Sequence, residues 1–261
     1  LHKEYRRQRQ MCIRDSFISN LCFGQDQSPY KNGEWLSFKL SYSGWIKAGK
    51  ATLKLKEDKV KEFYHVKAIG KTTGPIKWFF KVEDYYQSYF SKKTGLPKKF
   101  IRKINEGGHT KNLTIDFDQT TNKAIVNNIK KNKVEEFSTS KNVHDMLSVF
   151  YFIRNNYSLD QIKKSKDLSV DMFFDSENYE FKMKFLGIET INTKFGKIKC
   201  IKLRPFVQSG RVFKEKESLT LWISADKNKI PIKIKADLVV GSIVVNLDAF
   251  SGLNHPFEIK F

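Results

Sequence analysis

The sequence predicts an all-β fold with minor α content. It is a single curved antiparallel meander sheet, an open or half barrel, with one central helix at about residues 142–156 packed against it. Three observations carry this. Apolar and polar residues alternate through most of the chain, as in Leu36, Phe38, Leu40 and Tyr42 against Ser37, Lys39 and Ser41. Turn formers separate these runs at short intervals with no helical pattern between them, so the strands join as hairpins and not as βαβ units. One stretch, Asn142–Tyr157, abandons the alternation for a helical period.

The N-terminus stands apart from the fold. Leu1 to about Ser16 back-translates, with permitted codons, into a string that resembles a transposase-type sequencing adapter; a basic disordered arm is the alternative. The tract Phe17–Gly24 resembles the end of a secretory signal, although Ser19, Asn20 and Leu21 make Cys22 a poor lipobox cysteine. Residues 1–24 are therefore read as non-native adapter-derived residues plus a truncated signal peptide, and 25–261 as a single β-rich domain. A bacterial protein of the periplasm, or one secreted, is expected. An unstructured start to a cytosolic protein is the other reading of the tract.

From Gln25 onward there are 43 basic and 26 acidic side chains, a balance of +17, and only Arg102, Arg154, Arg204 and Arg211 are arginines. Lysine is a strongly hydrated point charge, whereas arginine is the usual reader of phosphates and bases. With no nucleic-acid motif visible, a nucleic-acid partner is not expected. The lysines read as a solvated surface, or as attraction to an anionic envelope surface. Cys200 is the one cysteine left, so no intramolecular disulfide forms, and it reads as a small buried hydrophobe. No apolar run is long enough to span a membrane.

The first hairpin joins Glu34–Tyr42 to Ala51, Leu53 and Leu55, and a third strand covers about Phe63 to Ala68. Gly74-Pro75-Ile76-Lys77-Trp78-Phe79-Phe80 interrupts the meander as a short helix or loop. Its three adjacent aromatics read either as a lip over a hydrophobic cavity or as core contact at a sheet corner. Strands follow at Val82–Ser91, Lys98–Asn105, Lys111–Phe117 and Ala124–Ile129, with a short one ending near Phe137. In the helix, Asn142 is placed as N-cap and Asp145 as its capping-box partner. Val143, Met146, Leu147, Val149, Phe150, Ile153 and Tyr157 share one face, but Phe152 sits among the polar residues of the other. Apolar groups on both sides predict a helix packed into the sheet. After a short helical turn at Leu159–Ser165, strands are expected near Leu168–Phe174, Tyr179–Leu186, Glu189–Thr193, Ile198–Leu203, Glu217–Ile223, Pro231–Ala236 and Ser242–Phe250.

Arg154 falls on the apolar face. The reading favoured is that it snorkels past the helix end, near the C-terminal dipole. The alternatives are a buried pair with Asp84 or Glu189, or the head group of an anionic ligand. Catalytic motifs are missing: His65, His109, His144 and His255 lie far apart, and no metalloprotease, nucleophile-elbow, phosphate-loop or dinucleotide pattern occurs. Glu83-Asp84 and Glu135-Glu136 point to opposite faces of their strands, so neither makes a glycosidase dyad. No catalytic residue, metal or cofactor is expected.

Four segments together resemble the bacterial family called domain of unknown function 3108: Gly33–Gly44 with Lys47–Ala51, Val143–Arg154, Gly187–Pro205, and Leu221–Pro231. The resemblance covers Glu34 to Gly252 and implies an exported protein, commonly from the Bacteroidetes group, with no established reaction. The family is similar in style to periplasmic half-barrel proteins, lipoprotein carriers among them, which is an analogy of fold. The expected function is a periplasmic, non-enzymatic protein binding an apolar or amphipathic cell-envelope component. A lipid, a lipoprotein or an acidic glycan is the expected ligand. A structural or assembly partner in the envelope is the alternative, and a glycan hydrolase a third. Trp78, Phe79, Phe80, Phe152 and Arg154 are the candidate ligand-binding residues, in a gap expected between the aromatic triplet and the helix. No motif sets the oligomeric state.

Overall fold

The computed structural model describes residues 28–58, 60, 62–79, 81–165, 167–206 and 218–260. The adapter-like and signal-like stretches, Phe80, Gly210 and Arg211 lie outside these residues. The first half is a run of hairpins: β1 (Trp35–Tyr42), β2 (Ile46–Asp58), β3 (Phe63–Thr72), the single turn α1 (Ile76–Phe79), β4 (Glu83–Ser91), β5 (Pro97–Glu106), β6 (His109–Asp118), β7 (Lys123–Asn128) and β8 (Lys133–Ser138). Two helices, α2 (Ser148–Asn156) and α3 (Leu159–Lys164), then lead to β9 (Asp167–Phe174), β10 (Glu177–Thr193), β11 (Gly196–Pro205), β12 (Leu219–Ser224), β13 (Pro231–Asp237) and β14 (Ser242–Ser251).

All the strands belong to one antiparallel sheet that does not close, in the order β8-β7-β6-β5-β4-β3-β2-β1-β14-β13-β12-β11-β10-β9. Two meanders meet at a seam between the first and last strands, where Trp35 pairs with Ser251 and Tyr42 with Ile243. Register shifts at Ser37/Phe38, Leu40/Ser41, Tyr89/Phe90, Phe185/Gly187 and Trp222/Ile223 are bulges, which bend and twist a sheet locally. At Phe185/Gly187 the bulge lets two expected strands run on as the single 17-residue β10, with Gly187 at φ 142° absorbing the irregularity.

The sheet wraps α2 on two sides. Leu147 and Tyr151 pack with Leu55, Val66, Phe90, Phe100 and Val126 from the first meander. Val149 and Ile153 pack with Leu168, Met183, Ile201, Leu203 and Ile223 from the second. A third cluster, around Leu36, Phe38, Cys200, Trp222 and Leu247, is completed by Leu253 and Phe257 of the C-terminal stretch.

The helix begins later than its periodicity suggests. Asn142 takes a left-handed φ of 57° and caps nothing. Residues before Ser148 run along β9 instead: the His144 N–H donates to Asp171 O at 2.8 Å and the Phe173 N–H to His144 O at 2.9 Å. The helix starts where Asp145 Oδ1 accepts from the Leu147 and Ser148 N–H groups, at 2.7 and 2.8 Å. Asp145 is thus the residue that meets the free amides of the first turn. Asn178 of β10 ties the end of β8 to the second meander, accepting from the Ser140 N–H at 3.0 Å and donating to Ser138 O at 3.0 Å.

Candidate functional site

Arg154 does not snorkel. Its side chain is 2% exposed and forms a two-pronged ion pair with Glu34: Nη1 donates to Oε1 and Nη2 to Oε2, each at 2.7 Å. Nε donates to Asn228 O at 3.0 Å and Nη2 to Pro29 O at 3.2 Å. The rings of Tyr30, Phe150 and Tyr151 lie 5.0–5.4 Å from the guanidinium carbon, and Tyr151 OH donates to Glu34 Oε1 at 3.3 Å. Burial opposes the guanidinium's charge, yet Glu34 and the tyrosines raise its pKa. Arg154 stands in the last turn of α2, but Pro29, Tyr30 and Asn228 enclose its guanidinium there, so an ion pair wins over an escape to solvent. Glu34 escaped the sequence reading because it stands one residue before β1, 120 positions from its partner. The acids considered there are engaged elsewhere. Asp84 accepts from the Asn105 N–H at 3.1 Å, and Glu189 accepts from Trp222 Nε1 at 3.0 Å.

A second polar cluster lies where α2 starts. Ser88, His144, Asp145 and Ser148 are all buried. Ser88 Oγ donates to Asp145 Oδ2 at 2.5 Å, and His144 Nδ1 lies 3.2 Å from Ser148 Oγ. The residue types are those of a nucleophilic triad, but the arrangement differs. Both Asp145 oxygens accept from serine and backbone donors, and His144 Nδ1 meets a serine hydroxyl. Burial pushes the Asp145 carboxyl up to about 6, against its hydrogen bonds, and lowers the His144 imidazole to about 4. The cluster fastens the helix start to β4.

Between α2 and the second meander the packing leaves an apolar cavity of about 160 Å³. Met146, just before α2, with Val149, Phe150 and Ile153 of α2, forms one wall, and Met172, Phe181, Met183, Leu203, Leu221 and Ile223 form the other. Ile162, Arg154 and Lys229 complete it, and no carboxylate contributes. Lys229 Nζ donates to Tyr157 O at 2.7 Å. A surface groove runs outside the helix, lined by Leu96, His144, Phe152, Tyr157 and Asp171.

These placements separate three of the five sequence candidates. Arg154 lines the cavity, Phe152 lines the surface groove, and Trp78 lines neither, standing 84% exposed on α1. Phe79 ends α1, and Phe80 lies outside the described residues. This cavity lies between the helix and the second meander. The methionines were the overlooked signal: Met146, Met172 and Met183, all those in the described part of the chain, converge there. Among the described residues no group of three or more His, Cys, Asp or Glu could hold a metal ion. No described helix is long and apolar enough to cross a membrane.

One unclosed antiparallel sheet rolled around an internal helix defines a β-barrel-like domain. The same architecture occurs in a β-barrel-like protein of domain of unknown function DUF1849 from Brucella abortus, with a TM-score of 0.57 at 10% identity over 87% of this chain and 100% of that one. Within that class, the model of the family described as protein of unknown function (DUF3108) matches residues 37–248, and the chain belongs to this family. Looser similarity extends to a candidate lipoprotein from Parabacteroides distasonis, with a TM-score of 0.32 at 12% identity over 85% of this chain and 97% of that one. A candidate exported protein with a YmcC-like fold from Bacteroides fragilis gives 0.31 at 8% identity, with the same coverages of 85% and 97%. At those scores the similarity carries no argument about this chain. No curated protein matches it in sequence.

Proposed function

We propose that this chain is an exported, periplasmic or secreted protein of the bacterial envelope that takes a small apolar group into the cavity beside α2. The group is a ring or the end of an acyl chain of an amphipathic component. The observation behind the proposal is the cavity itself, about 160 Å³ and walled by three methionines. An engineered apolar cavity of about 150 Å³ stays dry and binds benzene, so this one has room for a ligand of similar bulk. Methionine is unbranched and polarizable, and surfaces rich in it re-pack around varied apolar partners. At about 160 Å³ the cavity is too small for a whole lipid. Export is supported by the signal-like tract Phe17–Gly24.

The test follows methyl signals of labelled methionines by NMR during titration with benzene and with straight-chain carboxylates of increasing length. Saturable shifts at Met146, Met172 and Met183, lost in a Met183→Trp variant that fills the space, are expected. Signals that stay unmoved across the series, or that move equally in the filled variant, overturn the proposal.

A further inference from the structure

The end of the sheet that carries the β1–β2, β3–β4 and β13–β14 connections is unusual in what it exposes. These connections are neighbours. Tyr42 pairs with Ile243, the Ser43 N–H donates to Ser242 O at 2.7 Å, and Tyr42 OH donates to Val240 O at 3.1 Å, joining the first connection to the last. Gly49 pairs with Thr72, and the Thr73 N–H donates to Ala48 O at 2.9 Å, joining the first to the second. Trp45 is 80% exposed, Trp78 84%, Val239 66% and Val240 73%. Four of the nine large exposed hydrophobics among the described residues thus stand on three adjacent connections. The β7–β8 connection of the same end adds Ile129, whose N–H donates to Asn112 O at 3.0 Å.

Lysine dominates the charge around them, although Glu83, Glu106 and Asp237 flank the same connections, Glu83 paired with Lys71 and Asp237 with Lys235. Lys47, Lys77, Lys81, Lys130 and Lys131 are all exposed, and residues 43–47, 73–82 and 129–133 contain no Asp or Glu. Exposed apolar groups in water are unfavourable unless something covers them, and clusters of them mark interaction sites. Tryptophan settles at the boundary between lipid and water, and lysine beside it is drawn to anionic head groups. The apolar groups stand on separate hairpin tips between lysines and do not share one flat strand face, which suits shallow insertion better than a protein interface.

We infer that this end of the sheet is a docking rim for an anionic phospholipid bilayer, with Trp45, Trp78 and the Val239–Val240 pair seated at head-group depth. The rim is separate from the cavity beside α2, and the inference holds whether or not that cavity takes a ligand.

The experiment is co-sedimentation of the full chain with vesicles of phosphatidylcholine mixed with phosphatidylglycerol, and with phosphatidylcholine alone. Tryptophan emission is read in parallel against brominated lipid. Binding to the anionic vesicles with quenching, weakened by salt, is expected. A Trp45→Ser/Trp78→Ser variant should bind roughly tenfold or more weakly, by the apolar surface it no longer buries. A Lys47→Glu/Lys77→Glu variant should lose the preference for anionic vesicles, and it replaces the first variant if that one does not fold. Undiminished binding by both variants, binding without quenching, or no binding to anionic vesicles overturns the inference. Self-association that the tryptophan variant abolishes, without vesicle binding, overturns it in favour of a protein interface.

Discussion

Replacing Arg154 with methionine tests the buried ion pair directly. The substitution removes both bonds to Glu34 and leaves that carboxylate buried and uncompensated beside Tyr151. Breaking a buried pair from one side costs about 3–5 kcal/mol. The carbonyls of Pro29 and Asn228 lose their donors as well, which puts the expected value toward the upper end of that range. For a domain of this size each kcal/mol lowers Tm by about 2–4 °C, so Arg154→Met should melt about 6–20 °C below the parent. Urea midpoints followed by near-ultraviolet dichroism provide a second measure. The double variant Glu34→Leu/Arg154→Met should recover much of the loss, since apolar replacement of a buried pair is often close to neutral. It should stay about 1–3 kcal/mol below the parent because the two carbonyls remain unmet. An Arg154→Met protein within about 0.5 kcal/mol of the parent would behave as surface changes do and would refute the buried pair.

The two titrating neighbours at the helix start give a prediction about pH. Between pH 6.5 and 4 the unfolded chain holds a proton on His144 that the folded protein excludes, so acidification favours unfolding. Between pH 6 and 3.8 the folded protein holds a proton on Asp145 that the unfolded chain lacks, so acidification favours folding. The two effects, roughly 3 kcal/mol each, nearly cancel. His144→Asn removes the first, so the stability of the variant relative to the parent should rise by roughly 3 kcal/mol from pH 7 to pH 4; a constant difference would show that His144 charges freely in the fold. Gly252, at φ 67°, leaves only 2.4 Å between a built Cβ and Gly33 O, a backbone atom without freedom to move. Gly252→Ala should therefore cost more than the ~1–2 kcal/mol of the left-handed backbone alone, and an unchanged melting temperature would deny that close approach. Burial pushes the Cys200 thiol up to about 12, so a disulfide reagent should leave it intact at neutral pH until denaturant is added. Rapid labelling of the native protein would contradict its burial.

Strands were legible wherever one face meets the core and the other meets water, because burial then writes itself as alternation. Leu36 and Phe38 against Ser37 and Lys39 show this. The helix was legible as an element but not in its start, since Val143 is buried in extended chain just as it would be on a helix. Its two-sided burial was foreshadowed by Phe152, which packs against the second meander's cluster. The seam between β1 and β14 and the pairing of Glu34 with Arg154 left no local trace, because both depend on where distant segments meet. The cavity was illegible for a similar reason. A void is a property of how side chains from six elements fail to fill space, and only the rare methionines hinted at it.

The seam has a consequence for how the chain comes into being. Ser41 and Val244 are register partners 203 positions apart, and β1 finds its second neighbour only in the last strand. Proteins are synthesised from the N-terminus, so β1 waits with an open edge while nearly everything after it is made. An open edge is a template for pairing with another chain. Contacts so remote in sequence also form slowly, because the intervening loop must close before they contribute. A chain stalled or threaded through a pore before β14 emerges therefore cannot complete its sheet. Completion of the fold is tied to delivery of the final strand, and until then β1 needs shielding from its own copies.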